Sequence, residues 1–449
     1  MAKDQAITAA IFNVNLRVRT AGLVSFAALA AILTIVPVAQ AQTFTLLHTF
    51  MGPPDGASPA SGLAADAAGN LYGTTEYGGN TMHCDFSCGT VYRVARSGSG
   101  WITSTIYKFM DGADGANPIG RVIFGPDGAL YGTTTMGGSG SCEIGSQGCG
   151  TVFKLQPPAT YCHSFVCPWR ETILYSFTGG ADGEYPAAEV TFDQEGNLYG
   201  TTGAGGTGPC NYGSYGGCGT VFRLTHNPDG TWSKSTLYSF QGGSSDGISP
   251  AALVLDPAGN IYGTAGGGLP CVNGGDCGVV FELTPSASGW TETLLHIFTD
   301  GADGAYPASG LILDNQGNLW DATSSGPGEF GVGTIFELTP AQGGWNFTTQ
   351  YTFINGTVNG ANAVTMDSAG NIYGSSFGGG ANGTGVVYEL TRTNGGWSYS
   401  AIFSFPGDGS DGFFPEGNVL LDSQGNIYGT ASHGPYPSPD VGTVWKVTP

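Results

Sequence analysis

One phrase returns seven times in this chain: GNLYGTT at 69–75, GALYGTT at 128–134, GNLYGTT at 196–202, GNIYGTA at 259–265, GNLWDAT at 317–323, GNIYGSS at 370–376 and GNIYGTA at 425–431. Its aromatic residue recurs at intervals of 53 to 68 residues, from Tyr72 to Tyr428. A period in this range is the mark of a repeat array. Each unit carries a second phrase after a variable loop, from GTVYRV (89–94) and GTVFKL (150–155) to GTVWKV (442–447). Six units then carry a third, in which Trp is followed by Phe eight residues later, from Trp101/Phe109 to Trp397/Phe405.

The last unit stops after GTVWKV and lacks this third phrase. Its counterpart stands at the other end of the chain. QTFTLLHTF (42–50) has the spacing of WTETLLHIF (290–298), with Gln in place of Trp. A strand exchanged from the amino end closes a ring, whereas an open solenoid needs polar caps at both ends. Val, Ile, Thr, Tyr, Phe and Trp dominate the repeated phrases, as pleated buried surfaces prefer. Each unit therefore reads as four strands: A before a turn Asp, B on NLYGTT, C on TVFRL and D from Trp to Phe. The predicted fold is all-β, a seven-bladed β-propeller of four-stranded blades over 42–449, with a solenoid as the alternative. Gly and Pro are abundant (78 and 25), but hydrophobic residues at 40% and aromatics at 12% can offset chain entropy, so the glycines read as turns rather than disorder.

The first 41 residues read as a secretory signal peptide: Lys3, Arg17 and Arg19, an apolar run, then Ala39-Gln40-Ala41 as a small-x-small cleavage site. An uncleaved membrane anchor is the alternative; no second run is long enough to span a bilayer. Removing residues 1–41 leaves 10 basic against 33 acidic residues, a net −23 that repels phosphate backbones and argues against nucleic acid as a partner. Ten cysteines form five close pairs: Cys84 with Cys88, Cys142 with Cys149, Cys162 with Cys167, Cys210 with Cys218 and Cys271 with Cys277. In an exported chain these predict local disulfides; zinc is the alternative, without matching finger spacing.

Strand alternation places the B–C and D–A loops on one face, which collects four of the five cysteine pairs in units one to four. That lopsided face is where a site is expected. The D–A loops carry Asp55, Asp114, Asp182, Asp246, Asp303 and Asp411, with Asn359 in unit six. Oxygen ligands on glycine turns suit Ca²⁺, with Asp114, Asp182 and Asp303 as candidate ligands, though Asp-Gly is equally common turn chemistry. The turn Asp between strands A and B recurs in six units, and the second unit has Gly125 there. Four places before it, on the strand expected to line the channel, stand Gly62, Arg121, Glu189, Ala252, Gly310, Ala363 and Asn418. Arg121, Glu189 and Asn418, with Glu416 nearby, are the candidate channel-mouth site, and an Arg121–Glu189 ion pair between neighbouring blades is the structural alternative. The eight tryptophans all fall on repeat positions and read as core rather than ligand platforms. No HExxH or GxSxG occurs.

The combination of GNLYGTT, a variable loop and GTVF.L resembles the GloVer tandem-repeat (choice-of-anchor) family of exported bacterial proteins, over nearly all of 44–449. The resemblance implies an exported, propeller-like bacterial protein and no particular activity. The chain shows no C-terminal anchoring tail, a departure from that family. D-x-x-G-N-[LI]-Y also resembles NHL and gluconolactonase-like propellers, metal-dependent hydrolases with acidic and amide residues at the channel mouth. That likeness maps only to Glu189, Glu416 and Asn418. The expectation is a secreted, periplasmic or surface-held module that binds a glycan or protein, with a Ca²⁺-dependent, lactonase-like hydrolase or lyase as the alternative and a purely structural envelope protein as a third.

Overall fold

The computed structural model describes residues 42–449 except 81–83, 85–86, 143–147, 159–167, 213–214, 244–245, 269–270, 272–276, 288, 308–309, 328–331 and 435–440. The expected leader lies outside the described residues. Seven antiparallel sheets follow one another along the chain, each ordered A-B-C-D. The first has strands Ala64–Ala65, Leu71–Thr75, Thr90–Ser97 and Gly100–Lys108. The seventh is built from both ends of the chain: Phe413–Leu421, Ile427–His433 and Thr443–Thr448, then Thr43–Thr49 as its outer strand. Phe44 pairs with Val447 and Leu46 with Trp445, with Thr43 and Thr49 closing the ladder against Thr448 and Thr443. The amino-terminal strand thus completes the last blade of a seven-bladed propeller.

The repeated phrase is explained residue by residue. Strand B is buried along its length in the first blade. Its Gly lies under the strand-C aromatic of the same blade, and a Cβ at Gly73 would lie 2.4 Å from the Tyr92 hydroxyl oxygen. The next residue crosses to the neighbouring blade. Thr74 donates to the Gly120 carbonyl at 3.1 Å, Thr133 to Ala188 at 3.0 Å and Thr201 to Ala251 at 3.0 Å. Ser375 donates to Gly417 at 3.3 Å, and Thr430 closes the ring onto Ser61 at 2.8 Å. The second Thr meets the Thr of GTV within its own blade, as in Thr75–Thr90 at 2.7 Å and Thr202–Thr220 at 2.8 Å.

The Phe that ends strand D is buried in every blade, and it meets the strand-C aromatic of the next. The seven ring pairs are Phe50–Tyr92 (4.9 Å between centroids), Phe109–Phe153 (5.2 Å), Phe177–Phe222 (5.2 Å), Phe240–Phe281 (5.1 Å), Phe298–Phe336 (5.2 Å), Phe353–Tyr388 (5.0 Å) and Phe405–Trp445 (5.8 Å). All seven cross between blades, and Phe50–Tyr92 spans the seam between last and first. Burying each ring stabilises by about 1.5–3 kcal/mol relative to exposure. Further out, strand-D Trp rings pack edge-on against the strand-B aromatic of the preceding blade, as in Trp101–Tyr428, Trp169–Tyr72, Trp345–Tyr262 and Trp397–Trp320. Trp320 and Trp445 are fully buried, but the six strand-D tryptophans are only half-buried, because strand D is the outer edge of its blade and leaves one ring face to solvent.

Two features differ from the sequence expectation. Strand A, expected to run over about six residues, pairs over only two in the first three and fifth blades. The carbonyls just before it accept the strand-B hydroxyls of the adjacent blade, so they are not spent on a ladder. In the A–B turn, Asp66 accepts from the backbone of Ala68 and Asn70 (both 2.9 Å), from the Asn70 amide (2.7 Å) and from the Tyr72 hydroxyl (3.0 Å). Where the second blade has Gly125, Asp127 takes over from two residues along, accepting from the Ala129 N–H (3.1 Å) and Tyr131 hydroxyl (3.1 Å) and pairing with Lys154 at 2.6 Å.

Candidate functional site

Residues from all seven blades line a cavity of about 1430 Å³ on the axis, at the face that carries the D–A and B–C loops. Arg121, Glu189, Glu416 and Asn418 all line it. Arg121 grips Glu189 on the next blade with two hydrogen bonds, Nη2 to Oε1 at 2.9 Å and Nε to Oε2. Its stem passes over Gly62 on the first blade, where a Cβ would lie 3.2 Å from Arg121 Cδ and 3.0 Å from the Asn418 carbonyl oxygen. The side chain therefore ties blades seven, one, two and three together on the channel wall. Burial alone would lower the Arg121 pKa, and the charge and hydrogen bonds of Glu189 reverse this and raise it. Glu416 is raised by burial, with Ser432 opposing and the charge of Glu76 adding. The rest of the described wall is mostly Gly, Ala and Ser, so backbone amides and carbonyls face the cavity.

The D–A aspartates lie apart on separate blades, and their partners are local. Asp182 accepts from the Tyr175 hydroxyl (2.8 Å), the Thr178 N–H (2.8 Å) and hydroxyl (3.0 Å), and the Lys234 ammonium (2.9 Å). Asp303 accepts from Thr299 N–H (3.0 Å) and meets His296 Nε2 at 3.1 Å. Asp114 accepts from Tyr107 and from the Met110 N–H (2.7 Å). Burial pushes the Asp182 carboxyl up, and Lys234, Tyr175 and Thr178 more than reverse it. Each carboxylate stitches its D–A turn to a Tyr or His two residues before the strand-D Phe. Among the described residues, Asp114, Asp182 and Asp303 do not converge into a shared cation cradle. Those residues do bring Cys142, Cys149 and Glu184 together, but the two sulfurs are joined as a disulfide and offer no thiolate.

Four of the five expected disulfides are present: Cys84–Cys88, Cys142–Cys149, Cys210–Cys218 and Cys271–Cys277. The fifth differs from the expectation in having no place in this set, because Cys162 and Cys167 both lie outside the described residues. The carbonyl of the second cysteine of each observed pair accepts from a residue of the following D–A loop: Asn117 N–H to Cys88 (2.8 Å), Tyr185 to Cys149 (3.1 Å), Ser249 to Cys218 (3.0 Å) and Tyr306 to Cys277 (2.8 Å). These four belong to a sevenfold set with left-handed backbone: Ser58 (φ 55°), Asn117 (55°), Tyr185 (60°), Ser249 (53°), Tyr306 (56°), Gly360 (70°) and Phe414 (59°). Phe414 donates instead to Thr384, and Ser58 to Val441. Six of the seven are not glycine and precede a proline, a conformation that costs about 1–2 kcal/mol and persists only where its surroundings hold it. Tyr185, Ser249, Tyr306 and Phe414 line the cavity. Phe377, at the end of the sixth strand B, stacks flat on Phe414 (centroids 4.2 Å, planes 8° apart) and stays 44% exposed. These aromatics escape the sequence reading. Their signal is a bulky ring directly before Pro in EYP, AYP and FFP, where the other loops have Ser or Asn.

Among solved structures, the chain is similar to the polysaccharide lyase Uly1 (12% identity, 88% of this chain and 90% of that one, TM-score 0.47). It is similar to a candidate 6-phosphogluconolactonase from Bacteroides uniformis (15%, 76% and 84%, TM-score 0.46). It is also similar to XC5397, a gluconolactonase from Xanthomonas campestris (16%, 62% and 74%, TM-score 0.34). At scores below 0.5 the assignment of architecture rests on this chain's own strand pairing. No curated protein sequence matches the chain. The model of the Gloeobacter/Verrucomicrobia repeat matches residues 30–268 and 141–366, most of the seven-unit array, and the chain belongs to that family.

Proposed function

We propose that this chain is an exported β-propeller that serves as a binding or cell-surface interaction module, taking its ligand at the channel mouth. The observation that carries this reading is the axial cavity, to which every blade contributes and in which Arg121, Glu189, Glu416 and Asn418 stand together among small residues. A concave site with a few convergent polar groups on a rigid scaffold is the usual form of a ligand pocket. Export is supported by the leader-like residues 1–41 and by four closed disulfides. No helix among the described residues is long and apolar enough to cross a membrane.

The test is a ligand screen with the chain from Gln42 onward, using glycan arrays and surface extracts, against a Glu416→Gln/Asn418→Ala variant of unchanged melting temperature. Saturable binding that the variant weakens is the expected result. Metal-dependent turnover of a lactone or sugar, lost in Glu189→Ala and Asn418→Ala, would replace the module with the hydrolase alternative. Binding that ignores the variant would move the site elsewhere.

A further inference from the structure

Resting on the channel-mouth reading, we infer that the ligand is a neutral oligosaccharide, with the Phe377–Phe414 pair as its main stacking platform and Tyr306 and Tyr185 as further stations along the rim. Four observations lead there. The first is where the aromatics stand. Gly360 occupies the left-handed position in blade six, so the fold accepts glycine there at no conformational cost, yet blades three, five and seven hold Tyr185, Tyr306 and Phe414 in that backbone. Nothing in core packing asks for these rings, since all three line the cavity.

The second is Phe377. Its position in the repeat holds Glu76, Thr135, Gly203, Gly266, Ser324 and Ser432 in the other blades. Here alone it is a large apolar ring, 44% exposed inside a cavity and parallel to a second ring. Flat, partly open aromatic faces suit the C–H face of a sugar ring, while a peptide side chain asks for an enclosed apolar hole.

The third is the polar inventory. Asn418, Asn359 and Glu416 line the same cavity as the two Phe rings, and the small-residue walls present backbone groups. Hydroxyls both donate and accept, so they match amides, carboxyls and backbone without a net charge. Arg121 is the one basic residue among the described lining residues, and Glu189 already holds it with two bonds. Among those residues no cation is left to receive a uronate, sulfate or phosphate, and Glu416 and Glu189 repel one.

The fourth is size. At about 1430 Å³ the cavity exceeds the roughly 300–1,000 Å³ of ordinary small-molecule pockets, so several linked rings fit better than a single one.

The experiment is titration calorimetry of the chain from Gln42 onward with hexa-, tri- and monosaccharides of neutral β-glucan, mannan, xylan and galactan. Hexa-galacturonate and a basic peptide are run beside them. The expected result is saturable binding of at least one neutral hexasaccharide, weaker for the trisaccharide and absent for the monosaccharide. Phe377→Ser and Phe414→Gly should each weaken it at least tenfold. Phe414→Gly is the discriminating variant, because glycine relieves the left-handed backbone and so leaves the melting temperature equal or higher while binding falls. Failure of every neutral sugar, equal or tighter binding of hexa-galacturonate, or sugar binding that ignores both Phe variants would each overturn the inference. If the basic peptide or another ligand binds and is lost in the Glu416→Gln/Asn418→Ala variant while no neutral sugar binds, the sugar class falls and the channel-mouth reading stands.

Discussion

Ring closure can be tested at Phe50. It stands near the expected mature amino terminus, where substitutions are ordinarily cheap, below about 0.5 kcal/mol. The structure gives it the environment of a core residue instead. It is 1% exposed, its ring meets Tyr92 at 4.9 Å, and its N–H donates to the Gly442 carbonyl at 3.0 Å. Truncating a fully buried Phe removes its transfer energy and leaves a cavity, about 3–5 kcal/mol together. Phe109→Ala provides the internal standard, because Phe109 holds the same place against Phe153 in a blade whose four strands are contiguous. With an unfolding entropy of about 2.1 cal/mol/K per residue, some 400 cooperative residues lose about 1 °C per kcal/mol, so both variants should melt about 4–6 °C early. Calorimetry of the two side by side decides it. A Phe50→Ala protein within about 0.5 kcal/mol of wild type, beside a Phe109→Ala protein that falls, would refute closure by the amino-terminal strand.

The A–B turn predicts that Asp66→Ala and Asp127→Ala each cost about 1–2 kcal/mol in thermal denaturation, since each carboxylate answers several donors, while exposed Asp408→Ala stays near neutral. Stability should fall as pH rises from about 5 to about 8. Burial, with the nearby charges of Asp114 and Asp246, pushes Glu171 and Glu292 up to about 8, so in that window the folded state holds protons the unfolded chain has released. Urea midpoints at both ends of the window should converge in a Glu171→Gln/Glu292→Gln variant, and a midpoint that rises with pH would contradict the shifts. At the channel wall, Arg121→Ala should cost more than Arg121→Ala/Glu189→Ala, by about 1–3 kcal/mol, because the single change strands a partly buried carboxylate. A double variant less stable than either single would show that the pair contributes mainly through packing.

The sequence was most legible where one physical demand repeats in every blade. The Phe ending strand D, the Gly under the strand-C aromatic and the Thr bridging to the next blade recur because seven interfaces must be filled alike. A Gln in place of Trp did not hide the seventh copy, since it is Phe50, not residue 42, that reaches the next blade. Legibility failed where a demand is met by spatial neighbours of different chain position. Gly125 looked like a missing turn residue, and Asp127 supplies the carboxylate from two residues on. The D–A aspartates looked like a cation set, but what each answers is a Tyr or His seven or eight residues earlier, a pairing across the blade rim that turn chemistry does not announce.

The channel mouth was half legible for the same reason. Arg121, Glu189, Glu416 and Asn418 stood out as departures from small residues at a repeated position, and departures in a symmetric array have to be local in purpose. Tyr185, Tyr306 and Phe414 were departures too, but their position is conspicuous only once the backbone shows it to be left-handed. The residues anchored on cysteine carbonyls then connect two asymmetries that the sequence shows separately. The loops that carry the observed disulfides are those whose carbonyls hold Asn117, Tyr185, Ser249 and Tyr306 in that conformation. A crosslink that fixes an acceptor resists relaxation of the strained residue it holds, so the disulfides act on the shape of the mouth as well as on the stability of the blades.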